Sequence, residues 1–158
     1  MTNFKKETKI LCDFRDDEVI LDNNDQVILE VKVNVKDQDK NVKLDWSVDE
    51  LLTATDQILG EIVNPNANVV YTLCNNDQPI AAPITSGHSN RTRSIGSTPV
   101  NQSSFSQNNQ PNFTFCDTPL LGLNCYQVKA RKLDPTDGAT STATVTARTL
   151  NALIVEKC

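Results

Sequence analysis

Gln26-Val-Ile-Leu-Glu-Val-Lys-Val-Asn-Val35 decides the fold class. Val27, Leu29, Val31, Val33 and Val35 fall on one side of an extended chain, and Glu30, Lys32 and Asn34 fall on the other. A period of two is the pattern of a strand with one face buried and one wet, as antiparallel sheets have. Outward from this stretch the same signal recurs. Lys9–Phe14 and Val19–Leu21 precede it, separated by the acidic turn Arg15-Asp-Asp-Glu18, and Asn23-Asn-Asp25 turns the chain into it. Asn41–Trp46 follows, with Val42, Leu44 and Trp46 on one side. Asn68–Cys74 and Gln78–Ile84 bracket Asn75-Asn-Asp77 and predict a hairpin.

Near the end, Cys125–Leu133 sets Tyr126, Val128 and Ala130 against Gln127, Lys129 and Arg131, and Asp134-Pro-Thr-Asp-Gly138 is a turn. Thr142–Glu156 changes phase part-way: Ala143, Val145 and Ala147 are odd-numbered, whereas Leu150, Ala152 and Ile154 are even. One extra residue near Arg148–Thr149 restores the alternation, which predicts a β-bulge. About eight short strands closely spaced predict an all-β chain, a single jelly-roll-like antiparallel β-sandwich. Residues 14–158 form the domain in this reading, and residues 1–13 a flexible N-terminal connector.

Two stretches break the strand pattern. Over Ser47–Gly60 the pair Ser47 and Glu50 makes a capping box, and Leu51, Leu52, Thr55, Ile58 and Leu59 make a helical stripe that Gly60 ends. One short helix is predicted there. Residues 85–112 are rich in Ser, Asn, Gln and Thr and predict a long exposed loop or a weak edge hairpin. Asn90, Asn101 and Asn112 each open an Asn-X-Ser/Thr sequon inside or at the end of it.

Composition narrows the function classes. The net charge is −5 over 158 residues, which argues against nucleic acid or an anionic membrane as the main partner. The charge is uneven: residues 1–61 carry −7 and residues 62–158 carry +2, a split that would suit head-to-tail contact between copies. No apolar run is long enough to span a bilayer, and Met1–Lys9 has no apolar core of a secretory signal. Five cysteines nevertheless occur, Cys12, Cys74, Cys116, Cys125 and Cys158, and an odd number leaves one without an intrachain partner. Synthesis in a reducing cytoplasm followed by exposure to oxidant after lysis, as for spore-surface and virion proteins, would reconcile the two facts.

Catalysis has little to draw on. The sole histidine, His88, lies in the polar stretch, no C-x-x-C is present, and no glycine-rich phosphate loop occurs. The carboxylates of Asp13–Glu18 and Asp37–Asp39 read as solvated turns or, less often, calcium ligands. The expectation is a protein that is not an enzyme, with no metal site and no cofactor.

Asn112-Phe-Thr-Phe-Cys-Asp-Thr-Pro119, Gly122, Cys125-Tyr-Gln-Val-Lys-Ala130 and Ala143-Thr-Val-Thr-Ala-Arg-Thr-Leu-Asn-Ala-Leu-Ile-Val155 resemble the C-terminal half of Bacillus spore-surface jelly rolls. Within that group the chain is most similar in size and plan to the subunits of endospore appendages, the Ena fibres. The resemblance implies a self-assembling structural subunit whose N-terminal connector reaches a neighbour and forms a disulfide there. Cys12 would be the reaching thiol. Better-known members carry paired cysteines in the connector, and the single one here implies fewer or different links.

The cysteines divide accordingly. Cys12 and Cys158, near the two chain ends, are the candidates for interchain disulfides. Cys116 and Cys125 flank a Pro/Gly turn that an intrachain bridge can cross, and Cys74 ends an apolar strand, where a buried free thiol is the ordinary outcome. The expected partner is the chain itself, in rings or a fibre joined by disulfides and strand edges. The alternative is an adhesion module of phage-tail or exosporium type, using the polar loop over residues 85–112. Phe105 is the one aromatic that loop offers to a sugar.

Overall fold

A computed structural model describes residues 10–56, 62–89, 92–93, 103–135, 139–156 and 158. Its first strands are β1 (Ile10–Arg15), β2 (Val19–Ile20), β3 (Gln26–Val35) and β4 (Asn41–Asp56). Then come β5 (Ile62–Val63), β6 (Asn66–Asn75), β7 (Gln78–Pro79), β8 (Ile84–Ser89) and β9 (Thr92–Arg93). The last four are β10 (Ser103–Asn109), β11 (Asn112–Asp117), β12 (Gly122–Lys132) and β13 (Ala139–Val155). One sheet runs β1-β13-β4-β10, with β11 continuing β10 along β4 and β2 continuing β1 along β13. The other runs β3-β12-β6-β7, with β8 also on β6. β1, β3, β4 and β6 alternate between the two sheets, β8 stays beside β6, and β10, β12 and β13 alternate again, which is the order of a jelly roll; each of these pairings is antiparallel.

The core lies between the sheets, where the inward residues of each strand meet. Val42, Leu44, Trp46, Val48, Leu52 and Ala54 come from β4, Val69, Tyr71 and Leu73 from β6, and Tyr126, Val128 and Ala130 from β12. The quoted stretch behaves as its alternation requires from Leu29 to Val35. Val27 departs from it: the ladder to β12 shifts register between Val128 and Lys129, so Ile28 turns inward beside Leu29 and Val27 stays 44% exposed. The hairpin at Asn75–Gln78 forms as expected, with Asn76 and Asp77 in left-handed backbone conformations that Asn and Asp tolerate best after Gly.

Three expectations are corrected. No helix forms over Ser47–Asp56: the strand begun at Asn41 runs on through it, while residues 57–60 lie outside the described residues. Its even-numbered residues, Val48, Glu50, Leu52, Ala54 and Asp56, all turn inward. Polar side chains at two core positions and Leu51 on the wet face disguise a period of two. Ladders to β13 on one side and β10 and β11 on the other then outweigh local helix preference. Ser103–Asn109, in the stretch expected to be a long exposed loop or a weak edge hairpin, is an edge strand on β4, while Ile84–Ser89 pairs with β6 in the other sheet, so the two do not form a hairpin. Ile10–Asp13, assigned to the flexible connector, pair with Leu153–Leu150 of β13 and belong to the sheet; residues 1–9 lie outside the described residues.

The expected bulge is present, displaced slightly, with the register of β13 on β4 shifting between Val145 and Arg148. It turns Arg148 into the interior, where 1% of the residue is exposed. Its guanidinium donates through Nε to the Ile28 carbonyl (2.9 Å). Nη1 donates to the carbonyls of Asp17 (2.6 Å) and Thr146 (2.9 Å), and Nη2 to the Asp17 carboxylate (2.9 Å). One side chain thereby ties the acidic turn, the bulge and β3. Replacing it with Leu would leave three carbonyls without this donor, at a cost of about 3–5 kcal/mol. Arg148→Leu should therefore lower the urea midpoint sharply, with Arg148→Lys in between. A loss below about 1 kcal/mol for Arg148→Leu would refute the clamp.

Candidate functional site

Alternation and register together fix what the outer face of the first sheet displays. Phe14, Thr149, Ser47 and Asn112 stand in one row across β1, β13, β4 and β11. Cys12, Asn151, Asp45 and Thr114 make the next row, and Ile10, Leu153, Lys43 and Cys116 the third. Ile10 and Phe14 flank Cys12 on the edge strand and are 63% and 62% exposed. Lys43 and Asp45 pair at 3.5 Å, and Thr114 Oγ1 donates to Asp45 at 2.5 Å. The face thus offers a thiol between two apolar side chains on one edge and a neutral polar field beyond.

Each cysteine has a distinct setting. Cys12 is exposed and free. Cys116 is bonded to Cys158, with Cα atoms 6.0 Å apart, so two expectations are corrected: Cys158 is not a free interchain thiol, and Cys116 does not pair with Cys125. Register explains the choice, because Cys116 lies on the first sheet opposite Lys43 whereas Cys125 lies on the second sheet opposite Lys32. Cys158 follows the end of β13 by three residues and meets Cys116 on β11, a strand that pairs with the other side of β4. Closure over 42 residues restrains the unfolded chain by about 4 kcal/mol in the chain-entropy account. Cys74 is buried and Cys125 half-buried, and both are free. Burial raises the pKa of each thiol, and the Glu30 carboxylate raises that of Cys125 further, so both are held away from the reactive thiolate.

Two polar clusters that sequence reading missed join the sheets from inside. Glu50, 2% exposed, accepts from Tyr71 Oη (2.5 Å), from Asn109 Nδ2 (2.9 Å) and from Ser86 Oγ. The supposed capping glutamate thus collects donors from β6, β8 and β10. At the opposite end Asp117 accepts from Tyr126 Oη (2.7 Å) and Asn75 Nδ2 (3.1 Å), while Asn124 Nδ2 donates to the carbonyls of Leu120 and Gly122. Gly122 has φ +101°, a conformation only glycine adopts readily, which lets the turn after Pro119 close. Asp117, Gly122, Tyr126 and Arg148, members of the motif quoted above, therefore hold structure together. Their spacing signals the turn, but nothing in it shows which carboxylate each tyrosine meets.

The remaining candidates also serve structure. His88 packs edge-on against Phe105, with centroids 4.7 Å apart, and Phe105 packs against the core, not free as a sugar platform. Asp13 accepts from the Glu30 amide (2.8 Å), and Asp37 from the Asp39 amide (3.1 Å), so these carboxylates serve backbone groups. Among the described residues no group of three or more His, Cys, Asp or Glu could hold a metal ion. Nor is any described helix long and apolar enough to cross a membrane.

No protein-family model matches the chain, and no curated protein matches it. Among solved structures it is similar to Eiger TNF from S. frugiperda, with 9% identity over 96% of this chain and 94% of that one and a TM-score of 0.40. The jelly-roll assignment rests on the strand order itself.

Both tyrosines of the chain sit in these clusters, and burial with an adjacent carboxylate raises both pKa values strongly. Unfolded tyrosine ionises near pH 10, at about its ordinary value. Stability from keeping both protonated is therefore full below about pH 10 and falls as pH rises beyond it, when the unfolded chain alone releases protons. In an alkaline titration the phenolate absorbance should rise in one cooperative step coincident with loss of the β-sheet circular dichroism. A gradual rise near pH 10 with the dichroism intact would place the hydroxyls in water.

Proposed function

We propose that this chain is a structural subunit that assembles with copies of itself and is cross-linked through Cys12, as part of a spore-surface fibre or appendage. The observation that carries the proposal is Cys12 itself. It is the exposed free thiol among the described residues, fixed on an edge strand between exposed Ile10 and Phe14. Apolar side chains at a sheet edge are unusual unless something covers them, and a thiol among them suits a contact that is later locked. The resemblance to endospore appendage subunits supports the same reading.

The link starts from a sheet surface in this proposal, because β1 orders Cys12. Strand addition would use the outer strands: β1 and the β10–β11 pair in one sheet, β8 in the other. The β3 edge is less suited. The Glu30 amide is capped by Asp13 and the Ile28 carbonyl by Arg148, which protects that edge from pairing. The reading places the protein outside the cell after lysis of the mother cell, where oxidant can reach the thiol.

Oxidised protein should run on a non-reducing SDS gel as species larger than the monomer, collapse to monomer with reductant, and show assemblies by negative-stain microscopy. Cys12→Ser should abolish the cross-linked species, whereas Cys74→Ser and Cys125→Ser should leave them. Monomer in both lanes with an empty grid would sink the proposal and favour an adhesion module.

A further inference from the structure

Cys12 and the Cys116–Cys158 disulfide lie on the same outer face, one row and three strand spacings apart, from β1 across β13 and β4 to β11. At about 4.8 Å per spacing and about 7 Å per row, Cys12 is about 16 Å from Cys116. Cys158 lies within 6.0 Å of Cys116, Cα to Cα, so it is at least about 10 Å from Cys12. Bonded cysteines have Cα atoms at most about 7 Å apart. The thiol therefore cannot reach its own chain's disulfide. A second copy can bring the two together.

We propose that the Cys116–Cys158 disulfide is the acceptor for Cys12 of a second copy, and that the interchain link forms by thiol–disulfide exchange without an added oxidant. The Cys12 thiolate attacks Cys158 Sγ of the second copy. A Cys12–Cys158 bond forms, the Cys116–Cys158 bond breaks, and the Cys116 thiolate leaves and takes up the proton that Cys12 gave away. One disulfide and one thiol enter, and one of each emerges. Cys158 is the sulfur attacked because it is exposed, whereas Cys116 is half-buried.

The occupant of the face follows from this chemistry. Attacking and accepting groups both belong to this chain, on one face, and an isologous contact sets each group against its complement. A two-fold axis in the interface, bisecting the line from Cys12 to Cys158, brings each Cys12 over the other copy's disulfide. Lys43 and Asp45 lie between them and leave the field without net charge, so like charges do not oppose the contact. Ile10 and Phe14 supply the apolar area. Cys74 and Cys125 do not compete as attackers, being buried and half-buried.

This rests on the self-assembly proposal, and one experiment separates the two. The donor is the Cys116→Ser/Cys158→Ser variant, fully reduced; the acceptor is the Cys12→Ser variant with its disulfide intact by peptide mapping. Both are checked for native circular dichroism, and wild-type protein with Cys12 reduced replaces the donor if the variant fails that check. They are mixed under argon with no oxidant. A donor–acceptor band on a non-reducing gel is expected, together with a Cys12–Cys158 peptide, one newly alkylatable Cys116 per link, and unchanged total thiol. A donor that also lacks Cys12 should give no band.

No link under argon, with links between Cys12 residues appearing in air, would overturn the exchange and leave the self-assembly proposal standing. No link under either condition would overturn both. A link that persists without Cys12 would also overturn the exchange.

Discussion

A buried guanidinium is the constraint on which the first sheet depends. Arg148 could not enter the core as a bare charge, since an unpaired ion in the interior costs several kcal/mol even after relaxation. Its five donors must find acceptors, and the acceptors are carbonyls that regular strands would have used in their ladders. The sheet is accordingly irregular where Arg148 lies. β13 bulges at Thr146–Ala147, the β1–β2 edge breaks at Asp16–Glu18, and β10 and β11 break at Gln110–Pro111. β4 alone runs unbroken past this line, its Val48 amide reaching the Pro111 carbonyl at 3.0 Å. Proline cannot donate to a ladder, so the break at Pro111 is fixed by sequence while its carbonyl remains useful.

The same economy of acceptors organises the two ends of the sandwich. A carboxylate within a core must be met by donors from several strands. Glu50 and Asp117 meet that condition with neutral donors, a tyrosine hydroxyl and a side-chain amide in each case. Trp46 packs on Tyr71 with ring centroids 5.3 Å apart, so the first cluster is continuous with the aromatic part of the core. Each cluster draws on both sheets and fixes their relative register in a way that interchangeable apolar contacts do not.

Legibility in the sequence follows this division. Strands whose inward residues are apolar, such as β12 and most of β3, are visible as alternation. So is the bulge, because a phase change in a long strand has few other causes. β4 was legible only as far as Trp46: Glu50 and Asp56 occupy inward positions, and a residue-by-residue hydropathy pattern treats them as outward. Their burial depends on Tyr71, Ser86, Asn109 and the Asn64 amide, which lie eight or more residues away in the sequence. β10 was hidden for a related reason. Its Ser, Gln and Asn residues carry no apolar face, and it is a strand because β4 offers a ladder. Cysteine pairing was not legible either, since it depends on which sheet each strand joins.

That dependence bears directly on the candidate site. Sequence position made Cys12 and Cys158 equivalent, two thiols near chain ends; the fold makes them opposites, one reduced on an edge strand and the other oxidised at the far side of the same face. A tail cysteine that samples many positions collides with many targets. A cysteine fixed in a ladder meets only what docks on its sheet, in one orientation. The loss of a flexible connector at Ile10–Asp13 thus strengthens the case for specificity, because ordering the thiol before contact removes an entropy cost from the contact itself. In the proposed assembly, geometry of this kind selects the partner, a second copy of the chain that presents the matching face.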